Sequence, residues 1–115
     1  MKKHERMAVY NRYQGHCAYC GRKIEYKEMQ VDHYWPQFLS HLQSGLDNNN
    51  IENLMPSCRK CNIHKHGMRP EMWRSELQLQ VTRLRQNNQF DRALRFRQIH
   101  ITEHPIVFYF ETKHD

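Results

Sequence analysis

Four cysteines stand in two C-x2-C pairs, and this spacing is typical of metal binding. Cys17 and Cys20 form one pair, and Cys58 and Cys61 form the other. Each pair can present two thiolates from one tight turn, so both pairs together complete a closed tetrahedral site for structural Zn²⁺. Two disulfides or four unrelated thiols are the alternatives. The matched spacing, in a chain that we expect to be intracellular, favours zinc.

The stretch VDHYWP at residues 31–36 is the second place where chemistry is indicated. Its apolar residues suit a half-buried strand that Pro36 would end, whereas Asp32 and His33 are titratable. Neighbouring side chains in a regular strand point to opposite faces, so these two residues can serve one site only where the strand ends. We therefore predict irregular backbone near residues 33–36.

A zinc ion held by both cysteine pairs would bring further polar residues towards this stretch. It would close residues 21–57 into a loop that contains the Asp-His pair. Asn62 follows Cys61 directly, at the start of a predicted helix, so the metal ligand beside it would fix its position. His66 lies four residues further on and shares its helical face, and Lys65 flanks it.

The spacing of apolar residues predicts helices and short strands in no regular alternation, which is an α+β fold. In the first half, the predicted elements are a helix over 3–14, a strand over 29–34, a short helix over 37–43 and a helix that ends at Gly67. In the second half, they are a helix from Pro70 with an apolar stripe of Trp73, Leu77, Val81 and Leu84, a break at 86–88, a further helix, and a strand over 105–111.

The size and charge of the chain limit its class. At 115 residues we predict a single domain over 1–115, because two separate cores would each bury too little surface. The chain has 18 Lys and Arg against 12 Asp and Glu, a net charge of +6. This surplus suits nucleic acid, although the same surplus also serves solubility. No apolar segment approaches the roughly 18 residues that span a bilayer, and no signal peptide is recognised, so we expect a cytoplasmic protein without a membrane partner.

Basic residues cluster beside the second cysteine pair. No acidic residue occurs between Cys58 and Pro70, whereas the basic residues there are Arg59, Lys60, Lys65 and Arg69. A phosphate backbone would suit this face, and its contacts would weaken with salt. A second group of arginines further on either widens that footprint or only solvates a helix face. These are Arg83, Arg85, Arg92, Arg95 and Arg97.

Three motifs in this order resemble the HNH endonucleases, in the zinc-bearing branch of the ββα-metal (His-Me finger) superfamily. They are D-H-x-x-P from Asp32, N-L-x-x-x-C from Asn53 and C-x-x-C-N-x-x-K from Cys58, within a match over residues 7–67. The resemblance implies a small ββα-metal core stapled by the four-cysteine zinc site. It also implies a divalent-metal-dependent nuclease that acts on DNA, with RNA left open. Residues 68–115 lie outside the motif, as a helical extension and a terminal strand.

The resemblance implies a role for each of five residues. His33 would be the general base that takes a proton from the attacking water, and Asp32 would be a carboxylate ligand to the catalytic cation. Asn62 would give its amide oxygen to the same cation, and Asn53 would tie down the loop that carries the base. Lys65 would lie near the phosphate. Oxygen ligands of this kind fit Mg²⁺ or Mn²⁺.

His66 departs from a common pattern of that family, in which glycine follows the lysine directly. It lies where the colicin-type branch places a metal-binding histidine, so it is a candidate third ligand of the catalytic cation. A solvated histidine near a helix end is the alternative. With His66 as a ligand, Ni²⁺ or another softer divalent ion would also be tolerated.

The main alternative function is a non-catalytic four-cysteine zinc module that binds nucleic acid through the same basic residues. Such a module would not need Asp32, His33 and Asn62 together, and their co-occurrence favours the nuclease. A structural or protein-binding zinc domain is a third reading, which salt-insensitive behaviour without DNA binding would favour. The sequence predicts neither the form of the nucleic acid nor the oligomeric state.

Overall fold

The computed structural model describes residues 1–36 and 50–112, which fall into two compact units. The first, here called the sheet unit, comprises Met1–Pro70 and Val107–Asp115, and the second, called the helical unit, comprises Glu71–Ile106. The helix predicted over 37–43 lies outside the described residues. The prediction of one domain over the whole chain stays a prediction.

The sheet unit is built from two antiparallel strands and the helix that follows them. In chain order its helices and strands are α1 (Lys3–Asn11), β1 (Gln30–His33), β2 (Leu54–Ser57) and α2 (Arg59–Lys65). The register pairs Gln30 with Ser57 and His33 with Leu54. The predicted α+β class with a ββα core is therefore confirmed, and His33 is the last residue of β1.

All four residues of strand β2 are buried, because other segments of the sheet unit cover both of its edges. One edge pairs with β1. Proline cannot donate to a ladder, but the carbonyl of Pro56 accepts a hydrogen bond from the backbone N–H of Ala18 at 2.8 Å. The turn that contains the first cysteine pair therefore packs directly against β2.

The C-terminal segment of the sheet unit differs from the strand predicted over 105–111. The backbone N–H groups of Tyr109 and Phe110 donate to the carbonyls of Tyr19 and Ala18, at 3.0 and 2.8 Å. The chain then forms a short 3₁₀ helix over Tyr109–Glu111. The turn at Ala18 and Tyr19 offers only two carbonyl groups, whereas a strand edge would offer a continuous row of hydrogen-bonding groups. The apolar run at 105–111 therefore packs against the turn without forming a strand.

The helical unit contains short helices that follow one another closely. They are α3 (Pro70–Gln78), α4 (Gln80–Leu84) and α5 (Asn88–Arg95). The predicted break at 86–88 is confirmed, because the Asn87 side chain accepts the backbone N–H of Phe90 at 3.0 Å and caps α5. None of the helices among the described residues combines the length and apolar composition that a bilayer span requires.

The apolar stripe predicted from Trp73 to Leu84 is correct only in its first half. Trp73 is buried, whereas Val81 and Leu84 are 39% and 46% exposed. The reason is the end of α3 at Gln78, after which the chain starts a new helix and loses the continuous helical phase.

Candidate metal centre and active site

The four cysteine thiols converge on one point in the sheet unit. Their sulfur atoms all lie within 4.8 Å of one another, and the Sγ atoms of Cys20 and Cys58 are 3.9 Å apart. A tetrahedral Zn²⁺ with bonds of about 2.3 Å needs sulfur atoms about 3.8 Å apart. The donor set and its spacing therefore fit a structural zinc ion, as the two pairs predict.

The first cysteine pair lies in a tight turn that a glycine makes possible. The backbone N–H of Cys17 donates to the carbonyl of Arg22 at 2.8 Å, and that of Gly21 donates back to Cys17 at 3.0 Å. Gly21 has a φ of +81°, and a Cβ there would lie 2.8 Å from Cδ1 of Tyr109. Any other residue at this position would be strained and would also clash.

The second cysteine pair starts helix α2. The Sγ atom of Cys58 accepts the backbone N–H of Cys61 at 3.4 Å, and its carbonyl accepts the N–H of Asn62 at 3.0 Å. Cys58 is therefore the N-cap of α2. Asn62 lies within the first turn of that helix, so the cysteine cluster fixes its backbone, as the sequence predicts.

The thiols also have the electrostatics of a metal site. The hydrogen bond with the Cys61 thiol lowers the pKa of Cys17 to about 4, and the same contact raises the pKa of Cys61. The lowered pKa of Cys17 favours the thiolate, which is the form of cysteine that binds Zn²⁺. Zinc binding would displace the remaining thiol protons.

Asp32, near the end of β1, is held by two buried donors. The Tyr19 hydroxyl donates to its Oδ2 atom at 2.5 Å, and the Lys65 ammonium lies 3.1 Å from the same oxygen. The carboxylate is 8% exposed. Two donors thus hold the same oxygen of Asp32, which fixes the orientation of the carboxylate.

The pKa of the Tyr19 phenol is raised, mainly by burial and to a smaller extent by the negative charge of Asp32. A tyrosinate beside a buried carboxylate would place two like charges in a medium of low dielectric constant. The phenol therefore keeps its proton and remains a hydrogen-bond donor to Asp32.

Lys65 lies inside the sheet unit rather than on the predicted basic rim. Its side chain is completely buried, and its Nζ atom also donates to the backbone carbonyl of His33 at 3.0 Å. A buried ammonium needs such partners, because an unpaired charge costs several kcal/mol in the interior. Arg59, Lys60 and Arg69 are exposed.

Asn53 holds the backbone that follows His33. Its Oδ1 atom accepts the N–H of Trp35 at 2.8 Å, and its Nδ2 atom donates to the carbonyl of Trp35 at 3.2 Å. The carbonyl of Asn53 also accepts the N–H of Tyr34 at 2.8 Å. Strand β1 ends at His33 and residues 34 and 35 form a bend, so the prediction of irregular backbone is confirmed.

Comparison with known proteins shows similarity over part of the chain. Residues 17–67 match the family model described as HNH endonuclease. The Type II-C Cas9 enzyme from Actinomyces naeslundii resembles the chain in structure, with a TM-score of 0.52 and 30% sequence identity. The similarity covers 64% of this chain, and the chain spans only 7% of the length of that enzyme. No curated protein matches the chain.

Arg12, at the C-terminal end of helix α1, supports the backbone that precedes strand β2, and sequence reasoning missed it. Its guanidinium donates to the carbonyls of Leu54, Ile51 and Glu52, at 2.7, 3.0 and 3.1 Å. It thereby fixes the short 3₁₀ turn that carries Asn53. Nothing in the sequence signals this role, because Arg12 is 39 to 42 residues away from those carbonyls along the chain.

His66 lies just beyond the end of helix α2 rather than within it. Helix α2 ends at Lys65, and His66 has a φ of +48° and a ψ of −122°. The helical spacing from Asn62 therefore does not extend to the His66 side chain, which is exposed. Its role as a ligand of the catalytic cation stays a prediction.

Proposed function

We propose that the chain is a divalent-metal-dependent endonuclease that hydrolyses phosphodiester bonds of DNA, with a structural zinc ion held by the four cysteines. The observation that carries the proposal is the way the end of β1 is held. Lys65 fixes Asp32 and the carbonyl of His33, while Asn53 fixes Trp35. The match to the HNH endonuclease family supports the reaction class.

Asp32 and Asn62 are the proposed ligands of the catalytic cation. The Oδ1 atom of Asp32 is a hard oxygen donor whose carboxylate is already oriented through Oδ2. Asn62 offers an amide oxygen from the first turn of α2. Two such oxygens, with positions left for water and substrate, suit Mg²⁺ or Mn²⁺. When bound, such a cation stabilises negative charge on the phosphate and on the leaving oxygen.

His33 is the proposed general base. An imidazole can accept the proton of an attacking water near neutral pH. The positions of the residues around it are set by Asn53 on one side and Lys65 on the other. Lys65 acts here as a positioning residue, since its buried ammonium holds Asp32 and His33.

Arg59, Lys60 and Arg69 are the proposed contacts to the phosphate backbone. All three are exposed, and no acidic residue occurs between Cys58 and Pro70. In the helical unit, Arg83 and Arg95 form ion pairs with acidic residues. In the part of the chain that the structure describes, the arginines without an ion-pair partner there are Arg85, Arg92 and Arg97. These three are the members of the second group that are free to add phosphate contacts.

The test is DNA cleavage by the wild type and by His33→Ala. Supercoiled plasmid is incubated with each protein and Mg²⁺ or Mn²⁺, with EDTA as the control and zinc content measured on both proteins. We expect the wild type to nick or linearise the plasmid, and His33→Ala to retain one zinc ion per chain without cutting. His100→Ala, which removes an exposed histidine of the helical unit, is the matched control and should cut normally.

Two outcomes would contradict the proposal. If zinc-loaded His33→Ala cleaved DNA at the wild-type rate, His33 would not be the general base. Salt-dependent DNA binding without cleavage by the wild type, on linear, branched and single-stranded substrates alike, would favour the non-catalytic zinc module.

A further inference from the structure

Tyr19 lies inside the first cysteine pair, between Cys17 and Cys20. Its backbone belongs to the turn that presents the two thiols to the cluster. Its carbonyl accepts the N–H of Tyr109 at 3.0 Å, and the neighbouring Ala18 donates to Pro56 at 2.8 Å. The position of residue 19 is therefore set by the same turn that sets the sulfur positions.

The side chain of Tyr19 runs from that turn to the end of β1. It is 3% exposed, and its ring packs edge-on against Phe108 and Phe110, with centroids 5.7 and 6.2 Å away. This packing leaves the ring little freedom, and its hydroxyl donates to Oδ2 of Asp32 at 2.5 Å. A packed aromatic ring thus spans the distance between the cysteine cluster and the carboxylate.

The two donors to Asp32 come from opposite halves of the cysteine cluster. Tyr19 lies between the cysteines of the first pair, and Lys65 ends the helix that the second pair begins. Both donors contact Oδ2. Rotation of the carboxylate would break both contacts at once, so the geometry of the cluster determines where Oδ1 points.

We propose that Tyr19 is a positioning residue, which transmits the geometry of the four-cysteine cluster to the carboxylate that binds the catalytic cation. This inference rests on the proposed function, in which Asp32 is a ligand of that cation. Partners that orient a metal ligand typically contribute about 10–100-fold to metal affinity. The cysteine cluster then has a second role besides folding, since it sets the affinity of a cation that it does not touch.

The test measures Mn²⁺ binding by electron paramagnetic resonance on the full, zinc-loaded chain, without DNA. The variants are Tyr19→Phe, Asp32→Asn and a matched control, Tyr10→Phe. The Tyr10 hydroxyl donates to the carbonyl of Ile24 at 2.7 Å, so the control loses a phenol hydrogen bond in the same unit without affecting a carboxylate. We expect Tyr19→Phe to weaken Mn²⁺ binding by about 10–100-fold with one zinc ion retained, and Tyr10→Phe to change it by less than about twofold.

The other outcomes separate this inference from the proposed function. If Asp32→Asn loses Mn²⁺ but zinc-loaded Tyr19→Phe binds it like the wild type, the positioning role is overturned and the cation site stands. If the wild type binds no Mn²⁺, or Asp32→Asn binds it equally well, both are overturned. If Tyr19→Phe no longer retains zinc, the phenol serves the cluster itself and the positioning role is likewise overturned.

Discussion

The sheet unit buries the ion pair near the end of β1, whereas the Arg83–Glu76 ion pair of the helical unit lies in solvent. Lys65 and Asp32 are 0% and 8% exposed in their ion pair, while Arg83 and Glu76 are 57% and 39% exposed in theirs. The nitrogen–oxygen distances are similar, at 3.1 and 2.8 Å. Water screens the second pair but not the first, so only the first fixes an orientation that chemistry can use.

Most of the buried apolar residues belong to the sheet unit, although Trp73 of the helical unit is also buried. Val9 and Met29 of the sheet unit are 0% and 2% exposed, whereas Leu84 and Phe96 of the helical unit are 46% and 73% exposed. Burial of apolar area is the main stabilising contribution to folding. The sheet unit should therefore respond much more strongly to substitution than the helical unit does.

Removal of zinc should produce the largest loss of stability, and the sheet unit should unfold first. The free energy of binding a structural zinc ion is largely free energy of folding, about 10–16 kcal/mol in small zinc domains. Titration with a strong chelator, followed by amide NMR, should abolish dispersed signals from the four-cysteine region and β1–β2. Added Zn²⁺ should restore them. Unchanged signals after stoichiometric zinc loss would contradict the structural role.

Lys65→Met should destabilise the chain far more than Arg83→Met. The first leaves the buried carboxylate of Asp32 without its cation, which costs about 3–5 kcal/mol. The second breaks an exposed pair worth less than about 1 kcal/mol. Urea denaturation of both zinc-loaded variants measures the difference. Losses within 1 kcal/mol of each other would mean that burial does not distinguish the two pairs.

Met29→Ala and Leu84→Ala compare the apolar residues of the two units. Met29 is 2% exposed, so truncation should cost about 2–5 kcal/mol in free energy of unfolding, including the cavity it leaves. Leu84 is nearly half exposed, and its truncation should cost less than about 1 kcal/mol. Urea denaturation measures both variants. An equal loss of unfolding free energy would show that Leu84 contributes more to stability than its exposed fraction indicates.

His66→Gly should produce the smallest effect, and a gain in stability. The φ of +48° and ψ of −122° at His66 favour glycine, so the substitution should add about 1 kcal/mol. Arg97→Gly, at a φ of +58° in the helical unit, is the matched comparison. Thermal unfolding measures both. A loss of stability in His66→Gly would show that the side chain stabilises this turn, and weaker Mn²⁺ binding by a stabilised variant would support His66 as a ligand.

Local spacing predicted the parts of the site that depend on neighbouring residues. The C-x2-C pairs place two thiols on one turn each, and Cys61 fixes Asn62 because they are adjacent. The end of β1 also followed from residues close together, since Asp32 and His33 precede Pro36. The tie between Asn53 and Trp35 was implied by family resemblance rather than by spacing.

Contacts between distant segments were missed or misjudged. Lys65 was expected on the surface, because nothing near it in sequence indicates a carboxylate that faces it across the fold. The role of Tyr19 likewise depends on a contact with Asp32 that only tertiary structure creates. The run at 105–111 has the composition of a strand, but the structure that it meets is a turn and not a free strand edge.

Pro56 has a consequence for how this small sheet behaves in concentrated solution. An uncovered strand edge invites pairing with another molecule and is a common start of aggregation. On the outer edge of β2, proline presents no N–H group, and its carbonyl is already bound to Ala18. An incoming strand would therefore find no backbone partner at the middle of this edge, so the sheet is protected there from growth by a third strand.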